Sequence, residues 1–309
     1  MKTFLKKILL FIIPIIILGL VTEILLRKIP NDYILKKEYL DSNSKNIQIL
    51  ILGSSHSTYG INPDYFSSAI FKEKSFNASN ISQTIDYDYE IFKKYSNKLP
   101  NLKYIILPIS YFSLYLILDS GPELWRIKNY NLYFDINKSN NIADQLEILS
   151  SELPVNLNRI YNYYHYGISH ITCSKLGWRE VFHEKIETDF LQSGKMAAER
   201  HSGKGENHFA DNSRKLKEIL RIANNMGVKV LLYTPPAYYT YTQNLDHTQL
   251  NSTLNYASEL PEIFKNTRYI NLLSDKSFIK EDFYDADHLN KFGAKKLTLK
   301  LEGILKEIN

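Results

Sequence analysis

The earliest candidate for chemistry in this sequence is a serine that follows a short apolar run. The run Ile47–Leu52 continues into Gly53, Ser54, Ser55 and His56. A glycine lets the chain turn tightly after a strand, and the N–H groups that open the next helix can bind negative charge. A serine in such a turn exposes its hydroxyl and carries an oxyanion donor in its own N–H. Ser55 is therefore a candidate nucleophile, although serine at such a turn more often only caps the helix.

The second candidate group lies about 230 residues further along, where Asp285, Asp287 and His288 precede a helix-forming segment. A nucleophilic serine needs a base, and a histidine base needs a carboxylate that orients the imidazole. Asp285 precedes His288 by three residues, so one tight loop can bring its carboxylate to Nδ1. Side chains of adjacent residues diverge, so we expect Asp287 to be solvated or to cap the last helix. The spacing also leaves open that Asp285 and His288 are merely caps.

The intervening sequence predicts the elements that would position these groups. Apolar runs typical of buried strands occur at 47–53, 104–109 and 228–234, with weaker ones at 74–77 and 268–271. Helical patterns occur at 63–71, 83–97, 213–225 and 291–308. This alternation predicts an α/β fold with a parallel sheet and helices on both faces. Ligands in such folds gather at the carboxyl ends of the strands, which is where Ser55 lies.

Together the two motifs resemble the SGNH/GDSL hydrolase superfamily. The matching residues are Gly53-Ser-Ser55-His and Asp285-x-x-His288-Leu-Asn-x-x-Gly293. The resemblance is closest to membrane-anchored envelope members, such as the extracytoplasmic proteins of teichoic-acid D-alanylation and of alginate O-acetylation. It covers residues 46–110 and 211–309. The resemblance implies a flavodoxin-like sheet, Ser55 as nucleophile, His288 as general base, Asp285 as its orienting carboxylate, and no cofactor or metal.

The oxyanion donors depart from the pattern of that superfamily. Its second block usually supplies a glycine N–H, where this chain offers Ser82 with Asn80 close by. Its third block usually supplies an asparagine, where this chain has Ser110. Since one oxyanion donor is worth about 2.7–4 kcal/mol, at least one of these three must replace the missing groups if the protein is an efficient enzyme.

The first residues predict a membrane anchor. Apolar residues dominate the 19 positions from Ile8 to Leu26, close to the ~20 that a helix needs to cross a bilayer. No small-residue cleavage site follows, so an uncleaved signal anchor is favoured over a signal peptide. We expect an anchor at 1–29, a polar stalk at 30–45 and an SGNH-like domain at 46–309. The flanking charges do not decide the orientation, and the length of the domain and its chemistry favour the extracytoplasmic side.

A segment that does not follow the strand–helix alternation occupies residues 111–210. It is rich in tyrosine and asparagine and contains His165, His170 and His201. We expect a mostly helical insertion, with helices suggested at 142–157 and 178–191. Its histidines have no acidic partners at metal-site spacing. His201 lies in a polar segment whose composition is typical of a solvated loop.

The charge distribution argues against nucleic-acid binding. The chain of 309 residues has a formal charge of +5, of which +4 lies in the first 28 residues around the apolar run. The remaining chain is therefore nearly neutral, and the basicity belongs to the membrane flanks. Cys173 is the only cysteine, so an intramolecular disulfide is impossible.

These observations predict a membrane-anchored serine acyl esterase or O-acyltransferase. Its substrate would be an acyl ester or a glycan of the cell envelope or of an extracellular polysaccharide. The alternative is a non-catalytic accessory that uses the same scaffold to bind glycan or a multi-span membrane acyltransferase.

Overall fold

Five parallel strands form one sheet in this computed structural model, which describes residues 2–67, 71, 74–119, 123–180, 189–203 and 208–308. The strands are β1 (Ile49–Ile51), β2 (Ser75–Asn77), β3 (Tyr104–Pro108), β4 (Lys229–Thr234) and β5 (Thr267–Asn271). Their order is β2-β1-β3-β4-β5, and every neighbouring pair is parallel. This is the strand order of flavodoxin-like folds, so the predicted α/β class is confirmed.

Successive residues of the central strands point to opposite faces of the sheet and are all buried, as a sheet covered on both faces requires. On one face, Ile51 and Ile106 pack in a core cluster with Leu301 of the last helix. On the other face, Leu50 and Ile105 are equally inaccessible to solvent. Both faces must therefore be covered by other elements, since a strand with one solvated face would alternate apolar and polar residues.

The helices connect these strands in the expected alternation. Their bounds are α1 (Lys2–Arg27), α2 (Asp32–Asn43), α3 (Ser55–Gly60), α4 (Ile85–Tyr95), α5 (Ile127–Tyr133), α6 (Leu153–Tyr166), α7 (Phe190–Arg200), α8 (Phe209–Asn225), α9 (Tyr239–Thr242), α10 (His247–Ile263) and α11 (Lys291–Glu307). Helix α4 packs against α8, and α3 packs against α11. The three strong strand patterns, the two weaker ones and the final helix therefore fall where they were expected.

The chain forms two compact units. One contains residues Met1–Lys37 and Pro122–Thr172, and the other contains Glu38–Gly121 and Cys173–Asn309. The segment predicted as one insertion at 111–210 is thus divided between them. The reason is that Glu147 and Tyr164 contact the end of α1, a long-range interaction that the local sequence does not encode.

The smaller unit contains a buried ionic cluster. Glu147 is 1% exposed and accepts hydrogen bonds from Lys128 Nζ at 2.7 Å and from the Tyr133 hydroxyl at 2.6 Å. Arg159 Nη1 lies 3.0 Å from the same carboxylate. The Glu23 carboxylate of α1 accepts the N–H of Glu147 at 3.0 Å. Because its charges are paired and hydrogen-bonded, this polar interior can exist without solvent.

Four segments differ from the sequence-based expectation. Of the helix expected at 63–71, Pro63–Tyr65 forms a 3-10 turn instead, and residues 68–70 lie outside the described part of the chain. Most of the helix expected at 178–191 also lies outside the described residues.

The polar stretch 30–45, predicted as a stalk, contains α2, whose N-terminus is capped by Asn31 through the N–H groups of Tyr33 and Ile34. The helix expected at 142–157 instead begins at Leu153, after a short 3-10 turn at Ile142–Gln145. Helix α10 was not predicted, because its buried positions include Gln249 and Thr253, which carry no hydrophobic signal.

Helix α1 satisfies the physical requirements for a membrane span. The segment Lys6–Arg27 has 22 residues and a mean hydropathy of 2.8, and most of its surface is not covered by protein. At about 1.5 Å per residue it is long enough to cross the ~30 Å hydrocarbon core. The first unit thus begins with a helix that is long and apolar enough to cross a membrane.

The turn after β1 depends on glycine, which gives a stability prediction. Gly53 has φ +113°, and a Cβ there would lie 2.3 Å from Pro108 Cγ. We expect Gly53→Ala to destabilise the protein by about 2–4 kcal/mol, from backbone strain and overpacking together. The measurement is chemical denaturation of the full chain in detergent, followed by circular dichroism.

Gly303 provides the matched control, because it lies in α11 and a Cβ there meets no atom within 4 Å. Gly303→Ala should raise stability by about 0.5–1 kcal/mol, since alanine is the better helix former. Equal denaturation midpoints for the two variants would contradict the role assigned to Gly53.

Candidate active site

Ser55 is placed by the turn at the carboxyl end of β1. Ser54 adopts an extended conformation and is the N-cap, so α3 begins at Ser55 itself. The Gly53 N–H donates to Asp88 Oδ1 at 2.7 Å, which fixes the turn to α4. The N–H groups of Ser55 and His56 are the first two of the helix, so no helical carbonyl accepts their hydrogen bonds.

Asp88 is a buried carboxyl that holds this turn by accepting the Gly53 N–H. Besides the Gly53 N–H, its Oδ1 accepts a hydrogen bond from Gln83 Nε2 at 2.6 Å. Burial raises the pKa of Asp88 to about 7, against the opposing effect of the two hydrogen bonds. Sequence reasoning did not single out this residue, because an acidic side chain in the first turn of a helix is common for other reasons.

His288 is placed by a short loop between β5 and α11. Asn290 is the N-cap of α11 and accepts the N–H groups of Phe292 and Gly293. The capping role that the spacing left open for Asp285 and His288 is thus taken by Asn290. Asp285 Oδ1 instead accepts the N–H of His288 at 2.8 Å, which holds the loop in a tight turn.

The structure brings Ser55, His288 and Asp285 together. Ser55 Oγ lies 2.9 Å from His288 Nε2, and His288 Nδ1 lies 3.0 Å from Asp285 Oδ2. The imidazole is mostly buried, with 15% of its side chain exposed. With Nδ1–H directed at the carboxylate, Nε2 is free to take a proton from the serine hydroxyl. The arrangement can therefore activate a hydroxyl nucleophile.

Asp287 contradicts the expectation that it would be solvated. It is 2% exposed, and its Oδ1 lies 3.6 Å from His288 Nδ1. Its Oδ2 lies 3.7 Å from His56 Nε2 and 3.7 Å from the Arg200 guanidinium, and has no hydrogen-bond partner among the described residues. The N–H of Tyr284 donates to the His288 carbonyl at 2.9 Å, so the loop folds back on itself. Asp285 and Asp287, two residues apart, therefore both face the same imidazole.

These two carboxylates determine the charge of His288. Burial alone would lower its pKa, but the charge of Asp287 and then that of Asp285 outweigh burial and raise the pKa to about 9. Burial alone would raise the pKa of Asp287, but the charge of the His288 imidazolium holds it well below its usual range. At neutral pH the resting site therefore contains an imidazolium with two carboxylates on its Nδ1 side.

Two further histidines, His56 and His201, lie near Asp287 but stay neutral. His201 was expected to be solvated, but it lies at the end of α7, is buried, and has Nδ1 2.9 Å from the Tyr241 hydroxyl. Burial lowers the pKa of His201 to about 3 and also lowers the pKa of His56. The Phe112 ring packs 4.3 Å from His201. Sequence reasoning missed His56 and His201 because only the fold brings them to Asp287.

The three predicted oxyanion donors lie in different hydrogen-bonding environments. The Ser110 hydroxyl is 2.7 Å from His56 Nδ1, and the Asn80 amide donates to Gln83 Oε1 at 2.8 Å. Ser82 has φ +58°, a left-handed conformation that a non-glycine residue seldom adopts. Their role in stabilising an oxyanion stays a prediction.

One group of described side chains has the composition of a metal site. His56, Asp287 and His288 each offer a ligand atom, and these atoms lie within 4.8 Å of one another. His288 Nε2 already faces Ser55, so a metal bound through that atom would compete with activation of the serine. The expectation of no metal and no cofactor stays a prediction.

The charge of Asp287 gives a prediction about pH dependence. Replacing it by the isosteric amide, Asp287→Asn, removes a negative charge that favours the imidazolium, so the pKa of His288 should fall by about one unit or more. The neutral base is then present at lower pH. The rising limb of the pH profile of kcat/KM for a small aryl acetate should move to lower pH.

Arg200 supplies a control of opposite sign, because its charge lowers the pKa of His288. Arg200→Gln should move the same limb to higher pH, and by less, because the guanidinium is half exposed and screened by solvent. Shifts of both variants in one direction would contradict this electrostatic account.

Comparison with known proteins gives little further guidance. The chain matches no protein-family model and no curated protein. Among solved structures it is similar to one from Bacteroides fragilis NCTC 9343 that is described as "a putative acylhydrolase". The identity is 10% and the TM-score 0.44, and the alignment covers 88% of this chain and 96% of that one.

Proposed function

We propose that this protein is a membrane-anchored SGNH-like serine acyl esterase or O-acyltransferase. The observation that carries the proposal is the contact of Ser55 Oγ with His288 Nε2 at 2.9 Å, with Asp285 on the opposite nitrogen. Two short loops 230 residues apart thus assemble a nucleophile, a base and an orienting carboxylate. The arrangement at the carboxyl ends of β1 and β5 is where an open parallel sheet places its ligands.

In the proposed reaction His288 in its neutral form takes the hydroxyl proton of Ser55. Ser55 Oγ attacks the acyl carbonyl, and the tetrahedral intermediate collapses to an acyl-serine as His288 Nε2–H protonates the leaving alkoxide. Water or a hydroxyl of an acceptor sugar then attacks the acyl-serine, with His288 again as base. Hydrolysis and transfer differ only in that last nucleophile.

The substrate class follows from where the anchor would hold the site. A protein tethered by α1 with its catalytic unit on the extracytoplasmic side meets the glycans of the cell envelope. Tyr59 and Arg179 border the site: the Tyr59 ring lies edge-on to His288 at 5.4 Å, and the Arg179 guanidinium lies 5.8 Å from the Tyr59 ring. An aromatic ring beside a donor-rich cation suits a sugar with acidic or acylated substituents.

The accessory function remains the second candidate, because one observation favours it. A base whose pKa is raised by two carboxylates is mostly protonated at neutral pH, which slows general-base catalysis. A protein that binds an acylated glycan, or a multi-span acyltransferase, would not need the neutral form. Turnover by the purified protein separates the two candidates.

Replacement of the nucleophile tests the proposal. Ser55→Ala should lower the hydrolysis of a small aryl acetate by about 10³-fold or more while leaving the fold intact. The measurement is release of 4-nitrophenol by the full chain in detergent. A fluorophosphonate probe should modify Ser55, as identified by mass spectrometry of the peptides.

Ser54→Ala is the matched control, because the neighbouring hydroxyl is buried and without a hydrogen-bond partner among the described residues. This variant should keep most of its activity. Wild-type rates in Ser55→Ala would end the nucleophile assignment. Absence of both turnover and probe labelling in the wild-type protein would favour the accessory function.

The anchor is tested by extraction. The full chain should stay with membranes after carbonate washing, and the double variant Ile13→Arg and Ile16→Arg should reduce retention, since a charge near the bilayer centre costs about 2.5–3.5 kcal/mol on insertion scales. Leu191→Arg, at an exposed apolar position of α7, should leave retention unchanged. Release of a shortened form from normal cells would contradict the anchor.

A further inference from the structure

Helix α6 has its polar and apolar faces in the reverse of the usual arrangement. Leu153, Leu157, Tyr161 and Tyr164 recur at the spacing of one helical face and are each between 48% and 58% exposed. A surface helix of a soluble protein turns such a stripe towards its core. Here the stripe points outwards, and no described part of the chain covers it.

The inward face of α6 is polar. The buried Asn156 donates hydrogen bonds to the carbonyls of Ile148 and Ser151. Arg159, one turn further, reaches the buried carboxylate of Glu147 at 3.0 Å. Helix α6 therefore turns ions and amides towards the protein and presents hydrocarbon and phenol rings to its surroundings.

The exposed apolar side chains are concentrated in this part of the molecule. Apart from α1, the described residues carry twelve large exposed apolar or aromatic side chains between 123 and 172 and seven in the much longer second unit. Those of the first unit are Leu124, Trp125, Ile142, Leu149, Leu153, Val155, Leu157, Tyr161, Tyr164, Tyr166, Ile168 and Ile171. A surface of this kind marks an interaction site rather than a solvated face.

The stripe adjoins the end of the membrane-spanning helix. The Tyr164 hydroxyl donates to the Leu25 carbonyl at 3.1 Å, and the Glu23 carboxylate of α1 accepts the Ile148 N–H at 2.8 Å. The apolar run of α1 ends at Leu26, so the contacts of α6 lie at the level where the span leaves the hydrocarbon core. Through Tyr164 the exposed face of α6 therefore lies beside the end of the apolar run of α1.

We propose that the outward stripe of α6 lies in the lipid interface of the same membrane that α1 crosses. Tyrosine is enriched at this depth because its ring is apolar and its hydroxyl can reach water, and apolar faces of interfacial helices enter the bilayer by about 5–10 Å. The ligand is the phospholipid bilayer itself. The inference rests on the anchoring part of the proposed function and is independent of the chemistry at Ser55.

Site-specific quenching in a reconstituted membrane tests this inference. The full chain carrying Cys173→Ala, which removes its single cysteine, receives Leu157→Cys and an environment-sensitive fluorophore. It is reconstituted into vesicles of phosphatidylcholine and phosphatidylglycerol in equal parts. Bromine-labelled phospholipid should quench this position, and aqueous iodide should quench it at least about threefold less than a water-exposed position.

Two reference positions make the test decisive. Ile16→Cys in α1 reports on the span, and Ile263→Cys, exposed at the end of α10 in the second unit, reports on water. Leu153→Cys repeats the measurement one turn away, and since both positions on α6 are exposed, neither substitution leaves a cavity.

The outcomes separate the possible coverings of α6. Iodide quenching at Leu157→Cys equal to that at Ile263→Cys would show a solvated face and overturn the inference. Protection from both quenchers would show that a second copy of the chain covers α6, which would overturn it as well. Lipid quenching at Ile16→Cys but not on α6 would overturn the inference about α6 and leave the anchor intact. Absence of lipid quenching at both positions would contradict the anchoring proposal as well.

Discussion

The buried carboxylate of Asp287 is the constraint around which the larger unit is organised. A charge that is 2% exposed needs compensation, and it is found in the His288 imidazolium, the Arg200 guanidinium and the His56 ring. These groups come from the loop before α11, the end of α7 and the start of α3. Leaving one of them unpaired in a dry interior would cost several kcal/mol, so the carboxylate fixes three distant segments together.

The same compensation sets the chemical state of the site. Two carboxylates around one imidazole favour the protonated form, while burial keeps His56 and His201 neutral. The site therefore holds one protonated imidazole, that of His288, beside two neutral ones.

Helix α6 follows the opposite rule, with polar side chains on its inner face and apolar side chains on its outer face. The cluster around Glu147 satisfies its charges internally, so nothing polar needs to face the surroundings of α6. In water such a surface would be unfavourable, because exposed apolar side chains lose the free energy that their burial would supply. Under the proposal that α1 spans a membrane, this surface would lie against lipid.

The sequence by itself determined what depends on neighbouring residues. Apolar runs specified the strands, Gly53 specified the turn before Ser55, and three-residue spacing placed Asp285 against His288. Only the tertiary structure decided that Asp287 is buried, because the return of the loop and the approach of α7 are long-range events. The same holds for α6: its sequence shows apolar and polar residues at helical spacing, but which face meets protein is decided by where the end of α1 packs. Local periodicity encodes an element, whereas burial of a charge depends on partners that are distant in the chain.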